Sequence, residues 1–171
     1  MQPYVTMYDY LTKARGRLFD WIRPLSQEQY TREFPYALKT IRATVLEMAR
    51  AEWAYSHRIR SLPVMFGEAP FTSEKMPTFA EAEAGWRKLE PETRALLAGI
   101  TNGDAPVEYR FVPPNAPAVR IRATIGGLVS QLIFHEVHHR SQAMSMLKQL
   151  GVPAQNLDYG QLMFSRQEEP A

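Results

Sequence analysis

Apolar side chains in three separate stretches of this chain recur at alternating spacings of three and four residues, and this periodicity limits its fold more than any other feature. Such spacing places the apolar side chains along one face of an α-helix. These stretches begin near positions 4, 40 and 124, and a fourth helical stretch begins near 78, where Trp86, Leu89, Leu96, Leu97 and Ile100 are candidate core residues. The pattern therefore predicts four long helices that bury their apolar faces against one another.

Short sequence signals mark where the helices begin. Thr40 and Thr124 are residues of the type favoured at helix N-caps, and each stands directly before an apolar-periodic stretch. Thr78-Phe79-Ala80-Glu81 has the spacing of a capping box, which opens the third long helix. Ser26-Gln27-Glu28-Gln29 has the same spacing and predicts a short extra helical turn after the first long helix.

Prolines and an alternation of apolar and polar residues indicate how the helices end and how they are connected. Pro24 ends the first helix, and Pro91 predicts a bend within the third because it removes an amide donor. Residues 61–77 hold three prolines and no clear period, which predicts a long crossover. Apolar and polar residues alternate over 107–111 and 119–122, which predicts a small two-stranded ribbon.

Composition narrows the class of protein. With 171 residues, 45% of them hydrophobic and 22% charged, the chain fits one globular domain spanning 1–171. A dispersed net charge of +2 argues against a nucleic-acid partner. No stretch is apolar enough to span a membrane and the N-terminus lacks a signal-peptide layout, so we expect a soluble cytoplasmic protein. The lack of cysteine excludes disulfides, thiolate metal sites and a cysteine nucleophile.

Three of the four histidines fall in one short stretch of the last helix. His135 and His139 are four residues apart, so both lie on one helix face, and the apolar spacing places that face on the buried seam. Two neutral imidazoles at this spacing predict a divalent metal ion. His138 is an alternative to His139 at three-residue spacing, while His57 is expected at the surface or rim.

The same stretch matches the His-Glu-x-x-His signature of zinc metalloproteases, as His135, Glu136 and His139. In that signature the glutamate is a general base, so Glu136 is a candidate catalytic residue for metal-assisted hydrolysis. Proteases of this kind bind peptide along a sheet, and this chain offers only one weak ribbon. We therefore do not favour proteolysis.

The third metal ligand has two candidates on the second long helix. The seam Ile41, Val45, Met48, Glu52, Tyr55 and Ile59 places Glu52 at its centre, so helix phase alone favours Glu52. Glu47 falls nearer one edge of the same face. Both carboxylates are suitable ligands, and the residues themselves leave the choice open.

Two segments resemble the DinB family. Thr40-Ile41-Arg42 leading into Glu47-Met48-Ala49-Arg50-Ala51-Glu52 is similar to its second helix, and His135 to Gln142 is similar to its His-x-x-x-His-Arg-Gly-Gln element. The resemblance implies an all-α four-helix bundle with up-down-down-up connectivity and the ribbon between its third and fourth helices. It also implies a homodimer, a metal held by three side chains, and kinship with transferases and isomerases that use bacillithiol, mycothiol or glutathione.

Carried over position by position, the resemblance implies that His135 and His139 are ligands. The family's third ligand, a histidine five residues before a frequent glutamate, falls on Glu47 because Glu52 matches that glutamate. A carboxylate in this place departs from the family, lowers the charge of the site by one unit and shifts preference toward harder cations. Zinc, nickel, iron and manganese remain suitable. Ser141 also departs from the family's usual glycine.

The resemblance leads us to expect a thiol-dependent S-transferase that acts on a small-molecule electrophile. The low-molecular-weight thiol must be a separate molecule, since the chain has no cysteine. Arg140 and Arg42 are candidates to contact its carboxylates, although either is equally compatible with a solvated position. Gln142 is a further candidate catalytic residue, expected to orient a ligand or bridge helices. The alternatives are a non-catalytic, stress-associated metal-binding bundle and a metal-dependent hydrolase.

Overall fold

Helices dominate the computed structural model, which describes residues 3–112 and 116–165, except for the side chain of Phe66. In chain order its elements are α1 (Pro3–Ile22), α2 (Gln27–Thr31), α3 (Ile41–Ile59), α4 (Phe79–Ala98), β1 (Pro106–Phe111), β2 (Val119–Thr124), α5 (Ile125–Gln149) and α6 (Tyr159–Met163). One 3₁₀ turn, Phe66–Glu68, lies in the long connection from α3 to α4. The four predicted long helices and the crossover are confirmed.

The predicted helix starts are confirmed by side-chain hydrogen bonds to backbone amides. Thr40 accepts from the Ala43 amide and Thr124 accepts from the Gly127 amide. Complete capping boxes open α2 and α4. Each cap supplies an acceptor to an amide that has no partner within the helix, so short-range chemistry fixes these boundaries.

Helix packing forms a closed arrangement around the core. Helix α3 packs against α4 and α5, and α1 packs against the same two helices. Pro91 lies inside α4 without ending it; the predicted bend there and the up-down-down-up order of helix directions stay predictions. Among the described residues, no helix is both long enough and apolar enough to cross a membrane.

The predicted ribbon is confirmed as an antiparallel pair. Pro106 is opposite Thr124 and Phe111 is opposite Val119, so β2 leads directly into α5. Its turn, at residues 113–115, lies outside the described residues. Because β1 packs against α3, the ribbon lies close to the helix that carries Glu47.

The buried side of α5 corrects one prediction. The sequence places His135 and His139 on the buried seam of this helix, but in the structure both are half-buried at its edge. The side chains that are buried there are Leu128, Val129, Leu132, Ile133, Glu136, Arg140, Ala143, Met146 and Leu147. The buried face of α5 thus includes Glu136 and Arg140, each one position after the histidine that the sequence placed there. Both polar side chains can be buried because they have partners in the core.

Arg15 of α1 is fully buried and is paired with carboxylates from the other three long helices. Its Nη2 donates to Glu52 Oε2 of α3 and to Glu136 Oε2 of α5, both at 2.6 Å. Its Nη1 donates to Glu90 Oε1 of α4 at 2.9 Å. The guanidinium carbon also lies 4.0 Å from the ring centroid of Trp86 on α4. One side chain therefore links all four long helices.

Further donors complete this buried network. Glu52 accepts hydrogen bonds from the Tyr8 hydroxyl at 2.5 Å and the Trp86 indole at 2.9 Å. Burial raises the pKa of Glu136, although the charge of Arg15 opposes this rise. Burial would lower the pKa of Arg15, but the charges of Glu136 and Glu52 outweigh it and hold that pKa well above its ordinary value. The network therefore keeps Arg15 charged in the core.

Replacing the central arginine tests how far the fold depends on it. We expect Arg15→Met to lower the free energy of unfolding by about 3–5 kcal/mol, because Glu52 and Glu136 lose their buried counter-charge. Urea denaturation followed by circular dichroism measures this loss. The matched control is Arg94→Met, which removes an exposed ion pair with Asp9 and should change stability far less. Equal losses in the two variants would contradict the prediction.

Candidate metal centre

Three side chains of metal-ligand type come together between α3 and α5. Glu47, His135 and His139 each offer one ligand atom, and these atoms all lie within 4.8 Å of one another. His135 Nε2 is 3.5 Å from Glu47 Oε1, and the two imidazole centroids are 4.5 Å apart. All three residues are half-buried. We refer to them as the Glu47–His135–His139 cluster.

His135 provides a direct test of whether a cation fits this cluster. Its Nε2 atom is buried and has no hydrogen-bond partner among the described residues. The 3.5 Å separation from Glu47 is too long for an ordinary hydrogen bond. A buried nitrogen lone pair without a donor is costly in a folded protein, and a divalent cation would satisfy it. The donor set of two imidazoles and one carboxylate therefore fits a divalent metal ion.

Gln142 holds the second imidazole. His139 Nδ1 lies 2.8 Å from Gln142 Oε1, and Gln142 Nε2 lies 2.9 Å from His138 Nε2. With the amide oxygen as acceptor, His139 Nδ1 is the donor and Nε2 keeps its lone pair for a ligand. Burial lowers the pKa of His139, and this favours the neutral imidazole that metal binding needs.

Arg50 lies beside the carboxylate member of the cluster. Its guanidinium pairs with Glu47 Oε2 one turn along α3, while Glu47 Oε1 is the oxygen nearer His135. Burial would raise the pKa of Glu47, but interactions with His135 and Arg50 outweigh it and hold that pKa below its ordinary value. Glu47 is therefore a carboxylate at neutral pH, with one oxygen directed to the cluster.

Glu47 and Glu52, the two candidates for the third ligand, lie in different surroundings in the structure. Glu52 is fully buried, and both of its oxygens are occupied by Tyr8, Arg15 and Trp86. Glu52 is therefore an ion-pair partner in the core and lies outside the cluster. Glu47, five positions earlier, is the carboxylate that joins the two histidines.

The remaining candidate residues lie outside the cluster. Glu136 is 2% exposed and directed to Arg15 in the core. Arg140 is 3% exposed and donates to the Tyr10 hydroxyl, so the expected solvated alternative is wrong for it. Arg42 is half-buried and lines a surface cavity of about 440 Å³ together with Glu47 and Arg50. His57, half-buried, contacts the backbone oxygen of Trp53 rather than another ligand-type side chain.

A second cavity, of about 360 Å³, adjoins the cluster on the ribbon side of α3. We call it the ribbon cavity. Glu47 and His135 line one part of it, and the rest of the lining is formed by Arg50, Ala51, Ala54, Tyr55, Arg58, Tyr109, Phe111 and Ile121. A cavity of this size beside three ligand-type groups can hold a small molecule.

Sequence reasoning missed two charged residues near the site. Arg50 follows Glu47 by three positions, and an acidic–basic pair at that spacing is a recognisable helix signal. Arg58 follows Glu47 by eleven positions, about three helical turns, and so shares its face of α3. That spacing was a usable signal, but only the position of the ribbon shows that both residues line one cavity.

Comparison with known proteins agrees with the sequence resemblance. The sequence profile of the DinB family matches residues 1–170, which is essentially the whole chain. No curated protein matches the chain.

Removing the carboxylate tests the choice of third ligand. We expect Glu47→Ala to weaken zinc binding strongly, because one of three ligand groups is lost, with little change in folding. Glu52→Ala should instead destabilise the fold, because Arg15 loses a buried partner. Isothermal titration with Zn²⁺ and thermal unfolding of chelated protein measure the two effects. A Glu47→Ala protein that binds zinc as tightly as the wild type would contradict the assignment.

Removing the amide tests whether Gln142 orients its histidine. Gln142→Ala should weaken zinc binding by about 10–100-fold, because His139 loses the group that fixes its tautomer and ring orientation. Ser145→Ala is the matched control, since the exposed Ser145 hydroxyl donates to the backbone oxygen of Ser141 on the same helix. Chelator competition measures both affinities. Equal affinities in the two variants would count against the role of Gln142.

Proposed function

The chain belongs to the DinB family, and we propose that it is a divalent-metal-dependent S-transferase that joins a low-molecular-weight thiol to a small electrophile. The observation that carries the proposal is the Glu47–His135–His139 cluster, which offers three ligand atoms beside a cavity of small-molecule size. Zinc, nickel, iron and manganese are all compatible with this donor set.

The chemistry of thiol transfer explains why a cation is useful here. The S–H proton passes to solvent water, the sulfur forms a bond to an electrophilic carbon, and the displaced group departs with the electron pair of the bond that breaks. Because the thiolate is the reactive form, the reaction benefits from a lowered thiol pKa. A divalent cation held by Glu47, His135 and His139 would supply that effect. The chain has no cysteine, so the thiol comes from a second molecule.

The protein's own side chains have separate tasks in this proposal. Gln142 holds the His139 ring through its Nδ1 atom. Arg50 keeps Glu47 ionised and contributes positive charge beside it. Tyr55, Tyr109, Phe111 and Ile121 give the ribbon cavity an aromatic and apolar wall for a small electrophile to contact. These roles need no proton transfer by the buried Glu136.

Hydrolysis receives less support than thiol transfer. Its candidate base, Glu136, accepts a hydrogen bond from Arg15 in the core network, with Arg15 Nη2 2.6 Å from Glu136 Oε2. A general base has to reach the water that it activates. Glu136 is 2% exposed and is not among the residues that line the ribbon cavity.

Two further expectations, a homodimer and a cytoplasmic location, stay predictions.

A conjugation assay tests the proposed function. Chelated protein is loaded in turn with zinc, nickel, iron or manganese and mixed with monochlorobimane and bacillithiol, mycothiol or glutathione. We expect thiol-dependent and metal-dependent turnover that His135→Ala and His139→Ala abolish, because each removes a ligand. His57→Ala is the matched control and should retain activity, since His57 contacts the Trp53 backbone instead.

Three other outcomes would each redirect the proposal. No turnover with any of these thiols and metals would overturn the transferase function. A metal-dependent rise in thermal stability without turnover would favour a non-catalytic metal-binding protein. Turnover of ester or amide substrates without added thiol would favour hydrolysis.

A further inference from the structure

Helix α3 places a row of side chains along the floor of the ribbon cavity. Glu47, Ala51, Ala54 and Arg58 follow one another at spacings of four, three and four, so they share one helix face. All four line the cavity. The two alanines between the charged residues are small, which leaves room above them. Glu47 and Arg58 are about 16 Å apart along the helix axis at 1.5 Å per residue.

Arg58 is a buried cation with an unsatisfied donor. The residue is 7% exposed, and its Nε atom is buried without a hydrogen-bond partner among the described residues. Its guanidinium carbon lies 4.4 Å from the ring centroid of Tyr109, 5.2 Å from that of Tyr55 and 6.0 Å from that of Phe111. Buried polar groups are almost always paired, so an unpaired guanidinium N–H at a cavity wall indicates a missing acceptor.

The ribbon forms the wall of the cavity opposite the row of α3 side chains. Tyr109 and Ile121 are cross-strand partners and so face the same side of the ribbon, as does Phe111 two residues along β1. All three line the cavity. The aromatic rings also hold the guanidinium plane, so little conformational freedom remains for Arg58 to lose when an acceptor binds.

The charges along the cavity favour an anion at the end away from the cluster. Glu47 supplies the carboxylate among the described lining residues, and Arg50 already pairs with it. Arg58 therefore contributes positive charge that no carboxylate of the cavity lining offsets at its own end. A planar guanidinium presents parallel N–H groups that match a carboxylate, which makes this anion the best fit.

We propose that Arg58 binds the carboxylate end of an elongated substrate whose other end reaches the Glu47–His135–His139 cluster. The identity of that other end as a thiol rests on the proposed function; the carboxylate site does not. The distance along α3 sets a minimum length: a substrate that is anchored at the cluster by one end and is too short to reach Arg58 gains nothing from carrying a carboxylate at the other. Arg58 is thus a specificity-determining residue rather than a metal ligand.

The first experiment uses metal-free protein and a probe without a thiol. Octanoate and octanol are titrated into wild-type protein while the Arg58 Nε–H resonance, assigned by its loss in R58K, is followed by NMR. We expect octanoate to shift this resonance and to bind about tenfold to a hundredfold more tightly than octanol. The preference should disappear in R58M and persist in R60M, which removes a nearby exposed arginine of the same helix end.

The second experiment uses zinc-loaded protein and a series of ω-mercapto acids from 3-mercaptopropionate to 11-mercaptoundecanoate, each compared with the mercapto-alcohol of equal length. The carboxylate should improve affinity by about tenfold or more only in the longer members. R58M should remove this advantage without changing the affinity for the mercapto-alcohols. A purely structural arginine would weaken both series together.

The two experiments separate this inference from the proposed function. An unmoved Arg58 resonance, or equal or undetectable binding of octanoate and octanol, would overturn the carboxylate site. A carboxylate preference in the first experiment with no thiol binding in the second would keep the site and overturn the thiol-dependent function. Should R58M fail to fold, R58K and the wild-type resonance still decide the first experiment.

Discussion

The ion pairs of Arg15 hold the rest of this structure together. A guanidinium that is fully buried is stable only when carboxylates surround it, and here they come from α3, α4 and α5. Since Arg15 itself is on α1, all four long helices meet at one charge. Apolar packing alone tolerates small rotations of a helix, whereas hydrogen bonds of 2.6 Å to Glu52 and Glu136 do not. The network therefore sets the rotation of α3 and α5 about their axes.

That rotation decides which residues form the candidate metal centre. Glu136 is directed to Arg15, and successive residues of an α-helix are roughly 100° apart around its axis. His135, one residue earlier, is therefore about 100° from Glu136, and His139, three residues later, is about 60° from Glu136 in the same direction. They consequently share the flank of α5 that faces α3. Glu47 lies five positions before Glu52, which is about 140° around α3. With Glu52 directed into the core, Glu47 therefore lies at the edge of the core. Burying one glutamate from each helix is what places the other ligand-type side chains together.

The cluster and the ribbon cavity together make a site with two different ends. One end offers two imidazoles and a carboxylate, with a buried His135 nitrogen that lacks a partner. The other end offers Arg58, held among aromatic rings of α3 and β1. The ribbon, whose Val107 packs into the helix core, also forms the outer wall of this cavity. A small molecule with a metal-binding group and a distant carboxylate matches both ends.

The sequence by itself determined the helices, their caps, the ribbon and the histidine pair, because these depend on residues a few positions apart. Caps such as Thr40 and the four-residue spacing of His135 and His139 are local, and the structure agrees with both. Helix phase correctly placed Glu52 on the buried face of α3, and the family resemblance pointed to Glu47 as the third ligand. Only the tertiary structure shows why these two results agree: Arg15, from a distant helix, binds Glu52 in the core, while Glu47 lies beside the two histidines. Partners that are far apart in sequence leave no periodic trace, so these contacts required the folded chain.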